Sequence, residues 1–440
     1  MNIRLLVWIV VVLAVGCNPA ETETASKTVA PRGRPSFQSI SAGGPRLGGS
    51  MTLAMPEEGI EAGIDIDALL GACLPEDRLK EGWLRLFDGQ SLEGWFFIGT
   101  AQWRVVDDAI TVDSGQPSFL CTNFQIDDFE LMVDFRCPET TKSGILVRSS
   151  ANPQDFSSEC YKVSISPASE SFPTGSLVDR KKADDESLGE VSPDTWHTIR
   201  LRADGDQTKI WLDDRLALEY VDPNNRRRGF ICLEHQQGEI RFKNILMRPL
   251  GIKKLPLGED WETAWTKAEK ENGSFRVEAK GDGLRLKGGS GRLESQKHWG
   301  DFVLQATYQL PNPDVNSGIF FRCVPGSFMD GYECQINHSI NGHRALPTDY
   351  GPGGIFRRKQ ARIVVGDGVE PTYLTIIADG SQFTTWINGL EVADFADTRE
   401  PNDNPRRGAR REKGSIQLQG HDEKTEIVFH SIAVVGIDAN

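Results

Sequence analysis

The stretch DDFELMVDFR (127–136) decides the fold, because Phe129, Leu131, Val133 and Phe135 alternate with Glu130, Met132 and Asp134. A period of two over this length is the pattern of a half-buried antiparallel strand. GDFVLQATYQ (300–309) repeats it with Phe302, Leu304, Ala306 and Tyr308 on the apolar side. Working outward, the same order of segments recurs in both halves. SGILVR (143–148) answers to SGIFFR (317–322), CYKVSI (160–165) to GYECQI (331–336), and TGSL (174–177) to GGIF (353–356). WHTIRLRADGDQTKIWLDD (196–214) answers to YLTIIADGSQFTTWINGLEV (373–392), and EIRFKNI (239–245) to EIVFHSI (426–432). The offset stays between 171 and 187 residues, so the repeat unit is a whole domain rather than a solenoid turn.

Val, Ile, Phe, Tyr and Trp dominate these segments, and the chain's 44 Gly and 23 Pro favour turns over long helices. WLDD and WINGL read as hairpin turns, the second with Asn-Gly at its tip. The expected fold class is therefore all-β: two tandem antiparallel β-sandwiches of jelly-roll-like order. The domains are expected at 80–250 and 255–438.

Residues 1–16 read as an export signal: Arg4, an apolar run too short to span a bilayer, and Ala14-Val15-Gly16 before Cys17. AVGC resembles a bacterial lipobox, which makes Cys17 the expected site of lipidation and the cell envelope the expected location. The membrane is then met through that lipid only. Residues 17–79 read as a flexible linker rich in Ser, Thr, Gly and Pro, with one short helix at IDIDALLGAC (64–73). A net charge of −14 argues against nucleic acid as a partner. Seven cysteines besides Cys17, with no CxxC and no Cys/His cluster, read mostly as buried small hydrophobes, one or two disulfides staying open.

The ordered series W-x-LFDG-x-SLEGW (83–95), W-x-V (103–105), DFEL-x-x-DFR (128–136), then NSGIF-x-R, YE-x-QI, a Trp-x-Asn-Gly hairpin and LQGH resembles the 3-keto-disaccharide hydrolase family, also described as 3-keto-glucoside lyase/hydratase. The resemblance covers about 80–250 and again 255–438. It implies a concanavalin-A/laminin-G-like sandwich, a carbohydrate partner, and an elimination made feasible by the C3 ketone. Such chemistry needs a base near neutrality, an acid for the leaving oxygen and donors at the enolate.

Strand parity supplies candidates in the second copy. Glu333 and Gln335 share a face opposite Tyr332, Cys334 and Ile336. Arg322 shares parity with Asn316, Gly318 and Phe320, and Gln417, Gln419 and His421 oppose Ile416 and Leu418. The expected roles are His421 as base or acid, Glu333 as its partner or as ligand to a divalent metal ion, and Arg322 as oxyanion stabiliser. Asn316, Gln335, Gln417 and Gln419 are the expected substrate contacts. In the first copy Lys162, Ser164 and Lys142 stand at the places of Glu333, Gln335 and Asn316, while Arg148 and His235 remain near those of Arg322 and His421. That copy reads as degenerate, binding or structural. Arg226–Arg228 and Arg406–Arg411 occupy equivalent places and read either as a rim for an anionic glycan or as solvated loops. The Glu-x-Asp-x-x-Glu strand of two-carboxylate endoglucanases is absent. The rival reading is a non-catalytic glycan- or protein-binding lectin-like protein.

Overall fold

The computed structural model describes residues 64–184, 191–222, 227–269 and 274–437. The expected signal, Cys17 and most of the expected linker lie outside these residues. The remainder forms two sandwiches, each pairing an eight-stranded with a five-stranded antiparallel sheet.

In the first sandwich Phe129–Arg136 lies between His197–Asp204 and Ile240–Pro249. In the second, Phe302–Gln309 lies between Thr372–Asp379 and Glu426–Gly436. The period-two faces behave as their sequence dictates: Phe129, Leu131, Val133 and Phe135 fill one core, and Phe302, Leu304, Ala306 and Tyr308 the other. Glu130 is also buried, because Arg200, Arg202 and Arg248 converge on its carboxylate and hold it below the ordinary range against the effect of burial.

Both hairpins form with two-residue turns whose residues all have positive φ: Asp213 (48°) and Asp214 (64°), Asn388 (49°) and Gly389 (76°). The short helix also forms, over Ile66–Gly71, capped by Asp65, whose side chain accepts from the Asp67 and Ala68 N–H groups. The described end of the expected linker is nonetheless structured. A second helix spans Glu76–Lys80, Leu69 is buried in the second core, and Leu74 N–H bonds to Asn388 O. The physical reason is a run of apolar side chains, Ile64, Ile66, Leu69 and Leu70, that packs on the second core, with Leu74 buried after it.

The sandwiches share a joint. Trp386 is fully buried, donates to Arg85 O at 3.1 Å and meets Phe124 edge-on. Arg362 pairs with Asp88 at 2.7 Å, and Arg228 pairs with Asp301 at 2.6 Å and with Asp379. Arg228 is thus an internal strut, not part of a rim, while Arg226 lies outside the described residues. Trp95 likewise packs inside, its N–H on Leu86 O.

Candidate active site

The five-stranded sheet of the second sandwich runs in the order Trp265–Glu269, Gly291–Trp299, Gly414–Gly420, Ser317–Cys323, Tyr332–Ile336. Its inner side chains, Leu293, Ile319, Tyr332, Cys334, Ile336, Ile416 and Leu418, belong to the core. Parity then sends Arg292, Glu294, Gln417, Gln419, Gly318, Phe320, Glu333 and Gln335 to the outer face. Register aligns Glu294, Gln417, Phe320 and Glu333 across four strands, and Gly318 with Gln335.

Glu333 is the chemically distinctive group. It is only 6% exposed, and burial pushes its carboxyl up to about 7, with Arg406, Arg357 and the Gln419 amide pulling against that and Asp349 adding to it. Its nearest cation is Arg406, at 3.7 Å. Gly318 gives it room, since a Cβ there would stand 3.1 Å from Glu333 Oε1. Gln419 Oε1, buried on the strand beyond that of Gly318, has no hydrogen-bond partner. Beside it Asn316 Nδ2 and Gln335 Nε2 both donate to Asp349 Oδ2 at 2.8 Å, leaving Asn316 Oδ1 buried and unpartnered. The face therefore holds an acid poised near neutrality and two buried amide oxygens without a hydrogen-bond partner.

Of the expected residues, Glu333, Gln335, Asn316 and Gln419 come together. Three others depart from expectation. Arg322 does not face this surface: a bulge between Phe320 and Cys323 breaks the alternation, with Arg322 at φ +48°. Its fully buried guanidinium instead bonds to Gly300 O, Gly380 O, Arg410 O and Asp301. Gln417 is on the face but occupied, accepting from Met329 N–H and donating to Ser327 O and Glu294. Burial would raise Glu294, yet bonds from Ser415, Gly326 and Gln417, with Arg292 beside it, hold it below its ordinary value. His421 lies beyond the strand end, its ring 44% exposed and 3.1 Å from Asp422, with no hydrogen bond to Glu333 or Gln335. The divalent ion expected at Glu333 finds no donor set: a guanidinium faces the carboxylate, and no group of three His, Cys, Asp or Glu side chains suited to a metal occurs among the described residues.

Sequence reasoning missed Asp349 and the cleft beside Glu333. This cleft of about 150 Å³ is lined by Tyr332, Glu333, Phe356, Arg357, Arg358 and Arg406, among others. The turn that carries Arg357 sits at φ +60°, fixed by the Ile355–Lys359 bridge.

The first sandwich keeps the framework and changes the groups. Register places Leu146 where Phe320 is, Glu234 where Gln419 is and His235 where Gly420 is, so His235 does not correspond to His421. Lys162, in the place of Glu333, pairs with Glu234 at 2.7 Å. Cys121 and Cys232 stand where Glu294 and Gln417 do and are joined in a disulfide. Lys142, in the place of Asn316, pairs with Glu170 at 2.8 Å. The poised acid is gone and its neighbours neutralise each other. The disulfide closes a separation of 111 residues. Replacing both cysteines by alanine is expected to cost about 2–4 kcal/mol, read as a lower urea midpoint.

Comparison with known proteins follows the same division. The family model described as a 3-keto-alpha-glucoside-1,2-lyase-like domain matches residues 82–248 and again 255–435. No curated protein matches the chain. Among solved structures, a Parabacteroides distasonis ATCC 8503 protein whose name proposes a glycosyl hydrolase is similar at 16% identity and TM-score 0.36, covering 41% of this chain and 99% of its own. The carbohydrate-binding module CBM66 from Bacillus subtilis is 19% identical over 35% of this chain and 95% of its own, TM-score 0.28. A Bacillus licheniformis beta-glucanase is 13% identical over 42% of this chain and 98% of its own, TM-score 0.30.

Proposed function

Because the chain belongs to the 3-keto-alpha-glucoside-1,2-lyase-like family, we propose that its second sandwich cleaves 3-keto-glycosides by elimination and rehydration, with Glu333 as the proton-transfer group. The observation that carries this reading is the buried Glu333 carboxyl near 7 beside the unpartnered Gln419 oxygen. Ionised Glu333 takes the C2 proton, acidified by the ketone at C3. The electron pair becomes the C1–C2 double bond as the C1–oxygen bond breaks, and the leaving oxygen takes the proton that Glu333 removed. Water then adds its hydroxyl to C1, and the water proton passes by way of Glu333 to C2. Arg406, rather than Arg322, is the cation near enough to support the developing enolate. Gln335, Asn316 and Gln419 orient the ring. The first sandwich acts as scaffold, and the lipid at Cys17 would hold both at the envelope; Cys17→Ser should release the protein from the membrane fraction, and continued membrane retention would refute the anchor.

The test is to run the full chain with a 3-keto-glucoside in deuterated water. Elimination places deuterium at C2 of the released sugar. Retention of the C2 hydrogen would mean direct hydrolysis, and glycan binding with no turnover would favour the lectin-like alternative. His421→Ala is expected to leave kcat/KM within about tenfold, because its ring is exposed and engaged with Asp422; a larger loss would return His421 to the chemistry.

A further inference from the structure

The cleft beside Glu333 has an electrostatic character of its own. Its lining brings three guanidinium groups, Arg357, Arg358 and Arg406, around one carboxyl, Glu333. Burial raises that carboxyl to about 7, so near neutral pH it carries only part of a charge and offsets three cations incompletely. This local excess stands out in a chain of net charge −14.

The cations are held in place rather than neutralised. Arg358 donates to Arg357 O at 2.8 Å and to Arg406 O at 3.0 Å, both uncharged acceptors. Arg406 donates to Met329 O at 2.9 Å and lies over the Phe320 ring. Arg357 lies over the Phe356 ring. Neither Arg357 nor Arg358 has a carboxylate within ion-pair distance among the described residues. Asp397, the acid whose charge acts on Arg358, is already gripped by Arg399, whose Nη2 stands 2.7 Å from Asp397 Oδ2. Burial and the neighbouring Arg399 lower the basicity of Arg358, a cost that an incoming anion would relieve. In the first sandwich the matching turn, closed by the Leu177–Lys181 bridge, carries Asp179 in the place of Arg357, and Arg180 in the place of Arg358 is spent on Phe156 O and Ser157 O. The loss of Glu333 and the loss of the cationic cleft therefore go together.

We propose that this cleft seats an acidic substituent, a carboxylate or a sulfate ester, so that the substrate of the second sandwich is an anionic glycan. The inference rests on the Glu333 reading only for which sugar reacts; the anion site itself needs no chemistry. The geometry fits such a group: planar guanidinium forks match carboxylate and sulfate oxygens, and a cleft this small takes one substituent or one ring, not a chain.

The experiment is calorimetric titration of the full chain with glucose, glucuronate and glucose 6-sulfate. Both acids, or one of them, should bind at least tenfold more tightly than glucose in 50 mM salt, with the advantage shrinking in 500 mM. A preference for one acid identifies its group as the natural one. Arg357→Gln with Arg358→Gln should abolish the advantage. Arg357→Gln alone, at an exposed side chain that makes no ion pair, should reduce it without lowering the melting temperature. Arg104→Gln, in the first sandwich, should leave it intact. Equal binding of the three sugars, or an acid preference that survives the double substitution, would overturn the proposal. Glu333→Gln separates the two readings. It should keep the acid preference while losing turnover, so acid binding without catalysis sinks only the catalytic reading. Turnover of neutral 3-keto-glycosides without acid preference sinks only this one.

Discussion

Glu333→Gln should lower kcat on a 3-keto-glycoside by about 10²–10⁴ while making the protein more stable in mild alkali. Both effects have one cause. Burial raises the folded-state carboxyl from 4.5 to about 7, so between these values the native chain binds more protons than the unfolded chain. The stabilising contribution of Glu333 is complete below its unfolded value and is lost as pH climbs through the folded one. The amide mimics the protonated acid and is indifferent to pH. The variant should therefore match the wild type near pH 4 and exceed it by about 3 kcal/mol at pH 8, at about 1.4 kcal/mol for each tenfold difference in proton affinity between the folded and unfolded chain. Wild-type kcat/KM should rise with pH through an apparent value near 7 as the base ionises, and the residual activity of the variant should lack that limb. Denaturant midpoints at the two pH values and a pH–rate profile check it. A variant that loses activity and stability together at pH 8 would mean that Glu333 is a structural acid.

Arg322→Ala should have the opposite signature: a loss of about 3–5 kcal/mol in stability, with the folded fraction still turning over. The guanidinium is fully buried and satisfies Asp301, Gly300 O and Arg410 O at 2.7, 2.9 and 3.0 Å, together with Gly380 O. Removing it strands three carbonyls and a carboxylate that also receives Arg228 from the first sandwich. The melting temperature should fall on the order of 10 °C. Arg322→Lys should restore only part of this, since one ammonium cannot serve a carboxylate and three carbonyls at once. Calorimetry with activity normalised to folded protein distinguishes the cases. A stable Arg322→Ala protein with collapsed kcat would reinstate the oxyanion role. Arg148, bonded to Asp127 O, Gly205 O and Asp128, is its counterpart in the first sandwich.

These two residues also mark how far strand alternation can be read. In YECQI the rule holds without interruption, so Glu333 and Gln335 were legible as a pair, and the repeated order made two sandwiches legible as well. In SGIFFR the rule holds to Phe320 and fails at Arg322, because a bulge reverses the side-chain direction and nothing in the apolar pattern announces it. Asp349 was hidden for another reason: it reaches Gln335 from a loop 14 residues away, and loop geometry carries no period. The disulfide had a faint signal. Cys121 and Cys232 occupy strand positions that hold the polar pair Glu294 and Gln417 in the other copy, but only the register brings the cysteines side by side. Arg228 and Arg406 belong to similar basic runs, yet one closes the joint between sandwiches and the other overhangs the cleft.

The most direct test of the account is a crystal structure of the full chain carrying Glu333→Gln, soaked with a 3-keto-disaccharide. The sugar should lie on the outer face of the second sandwich, with C2 against the side chain at position 333 and ring hydroxyls on the amides of Gln419 and Gln335. Sugar held instead on the Lys162–Glu234 face of the first sandwich, or a second-sandwich face left bare, would contradict it.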